Sequence, residues 1–419
     1  MARIPTDPHP RPVSGTERIE LLDVLRGFAL LGILLANIEV FAGLIFQIPE
    51  TRTWTGADRM AAFVVDVLVH EKFYSIFSLL FGIGFSIIMR RTVERGAVFA
   101  PLLRRRLGIL LAIGLAHAVL IWAGDILVLY AVLGFVLLLF RERSPRTILA
   151  WSAGLLASPV PIYLMFLLLG MPDPFTSPPP PVGEGPDIAE MIFGAFRSGG
   201  YVDVVWANAL MYAGRWIHYF IFIRFPKVLG MFLLGVWLDR RGLLRDVAAH
   251  RGLFRRVVLI GLLVGIPANT AVAYLNVRGA YLPFSPLGLV QTALAVVGVP
   301  ALALGYAAAI ALLFQRPEAG RALLVLAPAG RMALTTYLSQ SVLGVVLFYG
   351  IGFGLWQRLA PMTVYGIAFA IYAAQLIVSR LWMKRFAYGP VEWLWRRLTY
   401  RRPLALALPR ASVAASSRD

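Results

Sequence analysis

The sequence predicts an all-α, polytopic integral membrane protein with about ten membrane-spanning helices and both termini cytoplasmic. Three observations carry that reading. Apolar runs of around 20 residues recur along the chain, each long enough to cross a bilayer as a helix. Charges fall between these runs, and Arg-rich connections alternate with connections that carry almost none. That asymmetry places the basic loops inside. The hydrophobic share of 59% and the mean hydropathy of +0.74 exclude an ordinary soluble enzyme. The formal net charge of +18 would by itself suggest nucleic acid, but its confinement to alternate loops assigns it to topology, so no nucleic-acid partner is expected. The chain has no cysteine, which removes disulfides, thiolate metal sites and a thiol nucleophile. No metal is expected.

The elements follow in order. Residues 1–17 are Pro-rich and polar, with no apolar core before a cleavage site, and read as a cytoplasmic tail. Residues 18–383 form the helical bundle, with an outer loop over 171–215. Residues 384–419 make a cytoplasmic amphipathic helix and tail. Span one, residues 21–45, opens with Asp23, Arg26 and Gly27 and carries Asn37 deeper in. Asp23 and Arg26 are one turn apart and can pair. Arg26 and Asn37 lie roughly three turns apart and share a face, so this polar stripe must point inward or leave its groups unsatisfied in lipid. Residues 59–69 read as an amphipathic piece at the outer surface. Span two, 73–89, has His70 and Glu71 at its outer mouth, either as a solvated helix start or as ligand contacts. Arg90, Arg91, Arg95, Arg104, Arg105 and Arg106 fix the next loop as cytoplasmic. A phosphate-rich ligand such as a coenzyme A thioester would also find partners there.

Spans three and four, 107–120 and 126–140, meet at Gly124-Asp125. Gly and Asp there satisfy backbone groups that lipid cannot. His117 lies less than two turns before the corner on an otherwise apolar helix, where an ionisable group is costly and usually functional. If the corner is tight, the imidazole and the Asp125 carboxylate meet across the hairpin as a base with an orienting partner. The plain alternative is a helix cap and a helix–helix hydrogen bond.

Span five, 147–170, holds Pro159 and Pro161 and should kink. The stretch 171–186 is stiff and Pro-rich. Residues 187–206 read as a surface-lying or partly re-entrant segment, suited to an acceptor contact or lid. Span six, 216–238, carries His218, Arg224, Pro226 and Lys227, and its cations can hold an anionic group or an oxyanion. Spans seven and eight cover 257–275 and 286–314. Span nine begins at Gly330-Arg331 and presents Arg331, Thr335 and Ser339 on one side, with Tyr337 and Gln340 nearby. Span ten covers 362–383. Gly389-Pro390 then breaks the helix, and a Trp/Arg-rich amphipathic helix lies on the inner surface as an anchor. The chain shows no internal repeat, P-loop, zinc motif or Gly-x-Ser-x-Gly element.

Three segments resemble the YeiB-like family of bacterial membrane proteins, built on a domain of unknown function. The first is Leu22-Asp23-x-Leu-Arg26-Gly27 with Asn37. The second is Lys72-Phe with Phe77-Ser-Leu-Leu-Phe-Gly82, leading to His117, Gly124-Asp125-Ile-Leu and Tyr130. The third is Gly330-Arg331-Met-Ala-Leu-Thr with Tyr337 and Gln340-Ser341, followed by Gly389-Pro390-x-Glu392-Trp393-Leu-Trp-Arg396. That family is distantly similar to membrane acyltransferases, including the lysosomal heparan glucosaminide acetyltransferase. The shared element is the Arg-Gly start of span one with an Asn at the position of Asn37. Such enzymes move an acyl group from cytoplasmic acyl-CoA to an acceptor on the far side, using a histidine in the loop after span one. The aligned position here is Ile48, and no His stands in that loop before His70, so the catalytic histidine does not carry over.

The resulting expectation is an acyltransferase of the bacterial plasma membrane, with acyl-CoA as donor substrate, a small-molecule or glycan acceptor, membrane lipids around it, and a homodimer as a candidate assembly. His117 would be the base, Asp125 its orienter and Asn37 an oxyanion donor, assisted by Arg224 or Arg331. Arg26, Arg224, Arg331, Tyr337, Gln340, His70 and Glu71 would contact substrate. The rival reading is a transporter or exporter of a small amphiphilic molecule, in which the same inward polar residues form a midplane site. A membrane scaffold for a cell-envelope assembly is the third.

Overall fold

The computed structural model describes residues 19–47, 53–96, 98–170, 188–221, 224–277 and 284–408, with 217–221 as backbone only. The tails 1–17 and 409–419, the Pro-rich stretch 171–186, Ile48 and the His218 side chain therefore lie outside the described residues. Among the described residues every regular element is helical apart from one isolated bridge, Phe386 to Ala407.

In chain order these are α1 (Glu20–Phe41), α2 (Gly56–Leu68), α3 (Lys72–Glu94), α4 (Phe99–Leu120), α5 (Leu127–Leu137), α6 (Pro145–Ala157), α7 (Pro159–Leu168), α8 (Ile188–Ser198) and α9 (Tyr201–Ile221). They continue as α10 (Arg224–Arg240), α11 (Arg251–Ile260), a π turn at Gly261–Gly265, α12 (Ile266–Val277), α13 (Pro286–Phe314), α14 (Pro317–Leu323), α15 (Ala327–Arg331), α16 (Ala333–Phe348), α17 (Pro361–Met383) and α18 (Pro390–Tyr400). Local chemistry sets many of the boundaries. Thr55 and Asp58 form a reciprocal capping box at the start of α2. Ser144 and Ser285 each accept a backbone N–H at a helix start with Pro in the first turn.

Six helical segments are long and apolar enough to cross a membrane: residues 20–41, 56–94, 145–168, 251–277, 286–314 and 361–383. A seventh arises if Pro317–Arg331 and Ala333–Phe348, bent by 76° at Met332, count as one span. The break replaces the continuous ninth span expected from Gly330 onward. Span one also ends earlier than expected: α1 stops at Phe41, and Gly43, at φ 73, turns the chain into a short 3-10 turn.

The amphipathic segment 59–69 and the segment 187–206, expected as surface-lying or partly re-entrant, both pack against the bundle. α2 docks on α12 and α17, where Asp58 accepts the Met362 N–H at 3.2 Å and Asp66 accepts from Asn276 at 2.8 Å. The segment 187–206 is split into α8 and the start of α9. Phe196 of α8 stacks on Tyr349 at 4.5 Å and packs against Trp356, and its carbonyl takes the Gly350 N–H at 2.8 Å. Part of the apolar side of each helix is covered by protein, while Met60, Val64, Ile188 and Met191 stay exposed.

α1 is the central element, flanked by α3, α13, α15, α16 and α17. Its approach to α15 is a backbone-to-backbone contact. A Cβ on Gly330 would run into the Asp23 carbonyl oxygen, and a Cβ on Gly27 into the Leu326 carbonyl. The same device joins α3 to α10 through Gly82 and the Phe232 carbonyl. Small residues give apolar helices the close contact that lipid, being equally apolar, does not drive by itself. Gly330→Val and Gly82→Val are expected to abolish the monodisperse peak in size-exclusion chromatography, since a carbonyl cannot move aside. Gly154→Ala, with nothing within 4 Å of the added carbon, is expected to leave the elution profile and thermal midpoint unchanged.

Candidate functional site

A cavity of about 1200 Å³ runs along α1, larger than the roughly 300–1,000 Å³ of ordinary small-ligand pockets. Its wall includes α1 from Asp23 to Val40, a helical rise of about 25 Å. The polar lining gathers at two ends. Arg26, Arg91, Arg106, Arg331 and Arg396 stand at one. Glu39, Asp66, His70, Glu71, Lys72, Arg224 and Lys227 stand at the other. Asn37 lines the wall next to the second group and is half-buried.

The histidine end is built by the short break between α2 and α3. Glu71 adopts a left-handed backbone, φ 67, uncommon for a residue with a side chain. Glu71 is the N-cap of α3, and His70 just before it reaches Glu39 of α1. The His70 Nε2 lies 2.9 Å from Glu39 Oε2, and its Nδ1 lies 3.2 Å from Asp66 Oδ1. Both carboxylates are supported in turn. Tyr365 donates to Glu39, and Asn276 donates to Asp66 at 2.8 Å. Lys72 Nζ reaches the Asp66 carbonyl at 2.9 Å. The neighbouring Glu71 accepts from Lys227 at 3.0 Å and faces Arg224 at 3.9 Å. The Arg224 guanidinium lies 5.0 Å over the Tyr74 ring. An imidazole held between two carboxylates and opening on a cavity can take up or release a proton.

Sequence reasoning named His70, Glu71 and Arg224 but missed Glu39 and Asp66. Two signals pointed to them. Asp66 stands four residues before His70, a same-face helical spacing. Glu39 is a lone acid near the end of an apolar run, where ionisable groups are seldom incidental.

The hairpin corner forms as expected and borders the cavity through Trp122, Gly124, Ile126 and Leu127. His117 Nδ1 and Asp125 Oδ2 are 2.8 Å apart, and Asp125 Oδ1 accepts the Val128 N–H at 2.8 Å. Asp125 thus both caps α5 and holds the imidazole. Asn208 of α9 closes the corner by accepting the Ala123 N–H and donating to the Val119 and Ile121 carbonyls. His117 is 1% exposed and Asp125 0%, and neither lines the cavity. Trp122 and Tyr337 do, with ring centroids 6.4 Å and 5.3 Å from the imidazole. The expectation that His117, Asp125 and Asn37 share one chamber is therefore corrected. Asn37 faces the cavity, while the His–Asp pair is fully buried beside Trp122 and Tyr337, with only the imidazole Nδ1 engaged, by Asp125, and the buried Nε2 without a hydrogen-bond partner among the described residues.

At the basic end, Arg26 pairs with Asp23 at 2.9 Å. Arg331 follows Gly330 at the crossing with α1, remote from Asn37 and the His70 cluster. Gln340, expected at a substrate, is instead buried between helices, donating to Gln375 at 3.1 Å and the Leu30 carbonyl at 3.4 Å. It is also absent from the cavity lining. The C-terminal helix α18, expected as a surface anchor, is docked against α4 and α16. Its Glu392 accepts the Leu334 and Thr335 backbone N–H groups at 2.6 and 3.0 Å, capping α16 where the chain breaks. Burial pushes this carboxyl above the usual carboxylate range, against the hydrogen bonds from Thr335 and Leu334 that pull it down. Glu392, Trp395 and Arg396 line the cavity. Among the described residues no group of three or more His, Cys, Asp or Glu side chains is arranged to hold a metal ion.

The family described as "Protein of unknown function (DUF418)" matches residues 238–402, which include α18 and the α15–α16 break. The Bacillus subtilis (strain 168) protein described as "Uncharacterized protein YxaH" is 32% identical over 413 residues, covering 93% of this chain and 96% of its own length. The chain belongs to the YeiB-like DUF418 family. The Escherichia coli (strain K12) "Uncharacterized protein YeiB" is 29% identical over 400 residues, covering 92% of this DUF418 chain and 97% of its own. A Bacillus acidopullulyticus relative, the "Uncharacterized 39.9 kDa protein in amylase 3'region", is also 29% identical, over 399 residues. No solved structure matches the chain.

In this DUF418 protein the His117–Asp125 pair has the geometry of a structural pin. His117→Ala removes the ring partner of a fully buried carboxylate and is expected to destabilise the fold by about 3–5 kcal/mol. The measurement is the thermal midpoint in detergent. An unchanged midpoint would refute the pinning role.

Proposed function

We propose that this DUF418 protein is a membrane-embedded acyltransferase of the bacterial plasma membrane. It would move an acyl group from cytoplasmic acyl-CoA to a hydroxyl or amine acceptor, a small molecule or glycan, at the outer side. The observation that carries this reading is the single cavity joining an arginine-rich end to an imidazole between two carboxylates, along about 25 Å of α1. A donor that arrives inside and an acceptor that waits outside need such a path. Counting α4, α5, α10 and α16 with the longer apolar helices gives ten passes, and basic connections on one side would put both termini in the cytoplasm.

The chemistry follows from the hydrogen bonds. Asp66 holds Nδ1 from the same local segment and is itself fixed by Asn276, so it serves as the orienter. Nε2 is the working nitrogen. Glu39 takes the proton from Nε2 and swings aside, the acceptor hydroxyl moves into its place and gives its own proton to the freed Nε2 lone pair, and its oxygen attacks the thioester carbonyl. The coenzyme A thiolate leaves and takes the proton back from Nε2. Asn37, with Arg224 or Lys227 nearby, donates toward the developing oxyanion.

A second reading, a transporter of a small amphiphile, is favoured by one specific observation. Both His70 ring nitrogens are bonded to carboxylates, an arrangement suited to a proton-coupled carrier. One experiment separates the two. Purified protein in nanodiscs is incubated with radiolabelled acetyl-CoA and membrane-extract acceptors. Label should move to an acceptor, and His70→Gln should slow that transfer by about 10²–10⁴-fold with an unchanged elution profile. Full transfer by a folded His70→Gln protein would remove His70 as the base. Amphiphile flux in proteoliposomes without acetyl-CoA consumption would favour the carrier.

A further inference from the structure

The basic block of the sequence divides once the chain is folded. Orienting a membrane protein requires only that arginines stay on one side of the bilayer, and part of the block does no more than that. Arg104 is exposed, Arg90 pairs with Asp239 at 3.3 Å and Glu94 at 3.6 Å, and Arg105 donates to the Thr399 carbonyl at 3.2 Å. Arg106 behaves differently. It lines the cavity, where Arg396 of α18 joins it from the far end of the sequence.

Arg106 and Arg396 are held by aromatic faces. The Arg106 guanidinium lies 3.6 Å over the Trp395 ring, and that indole donates to the Arg106 carbonyl at 2.9 Å. The Arg396 guanidinium lies 4.9 Å over Tyr388. Neither forms an ion pair with an acid among the described residues. The two acids at this end are otherwise engaged: Asp23 with Arg26, and Glu392 with the N-terminus of α16. Stacking fixes the plane of a guanidinium while its N–H fork stays available to an anion in that plane. A single carboxylate would satisfy one fork. Two forks, from α4 and α18, call for an anion with several oxygens on more than one centre. Beyond them the wall turns apolar, through Leu103, Leu107, Phe81 and Phe85.

We infer that Arg106 and Arg396 form a phosphate-binding site for a ligand with two or more phosphate groups and a long, less polar arm reaching toward His70. This deepens the acyl-transfer reading and rests on it only for the identity of the donor; the phosphate chemistry stands on the guanidinium geometry. It also gives α18 a role: this helix supplies one wall of the site and is latched to the α16 start by Glu392.

The test uses the full-length protein and free coenzyme A, which carries no acyl group, so that binding is read independently of turnover. Isothermal titration in phosphatidylcholine nanodiscs should show binding that weakens with added salt. It should fall about tenfold or more in Arg106→Gln and in Arg396→Gln, and remain unchanged in Arg104→Gln. Arg106→Lys keeps the charge without the fork and should fall between wild type and Arg106→Gln, which keeps the test open if the neutral variant does not fold. Coenzyme A affinity unchanged in folded Arg106→Gln and Arg396→Gln would overturn the site. Arginine-dependent binding without any acetyl transfer would uphold the site and remove the enzyme reading. In a second arm without coenzyme A, the nanodisc lipid is phosphatidylglycerol. A rise in thermal midpoint that depends on Arg106 and Arg396, in a protein that does not bind coenzyme A, would assign the phosphate to a lipid headgroup. Binding of neither probe would overturn the inference.

Discussion

A carboxylate near the end of an apolar helix has to be met by other polar groups, and Glu39 of α1 imposes that requirement on this fold. Its charge cannot face lipid without a large cost. His70 and Tyr365 meet it. One comes from the α2–α3 break and the other from α17, so satisfying one acid fixes how these two parts of the chain sit around α1. His70 then draws in Asp66, and Asp66 draws in Asn276 of α12. The polar network is continuous because each buried group must be partnered. The cavity follows the same line, since several charged groups cannot all be satisfied by protein in an apolar bundle.

The basic end obeys a different constraint. Arginines there are excluded from lipid by charge and kept on one side by topology, so their presence requires no ligand. What distinguishes Arg106 and Arg396 is their packing. Each lies on an aromatic face instead of reaching to solvent or to an acid, and this rigid placement spares conformational entropy when an anion arrives. The break at Met332 belongs to the same end. A helix interrupted inside a bundle exposes backbone N–H groups, and Glu392 accepts two of them.

How far the site was legible in the sequence depends on which residues had to meet. His117 and Asp125 lie close in the chain, across a turn marked by Gly-Asp, and their contact was readable. Whether that contact opened on a chamber was not readable, because the answer lay in Asn208 and Tyr337, which arrive from elsewhere. His70 was legible as an ionisable group at a helix mouth. Its two carboxylates were not, since Glu39 is 31 positions away and on another helix. Gln340 shows the converse. A polar face on span nine looked like a ligand surface, yet it is used for helix–helix hydrogen bonds with Gln375.

By itself, the sequence determined that the chain is helical, apolar enough to cross a membrane several times, and polarised by its arginines, because the period and length of apolar runs are local properties. It also marked the residues whose charge lipid does not tolerate. Only the tertiary structure decided which of them share a cavity, since that depends on close helix crossings such as Gly27 with α15 and Gly82 with α10. Those crossings are fixed by side-chain volume at contacts between distant segments, information that no single stretch of the chain contains.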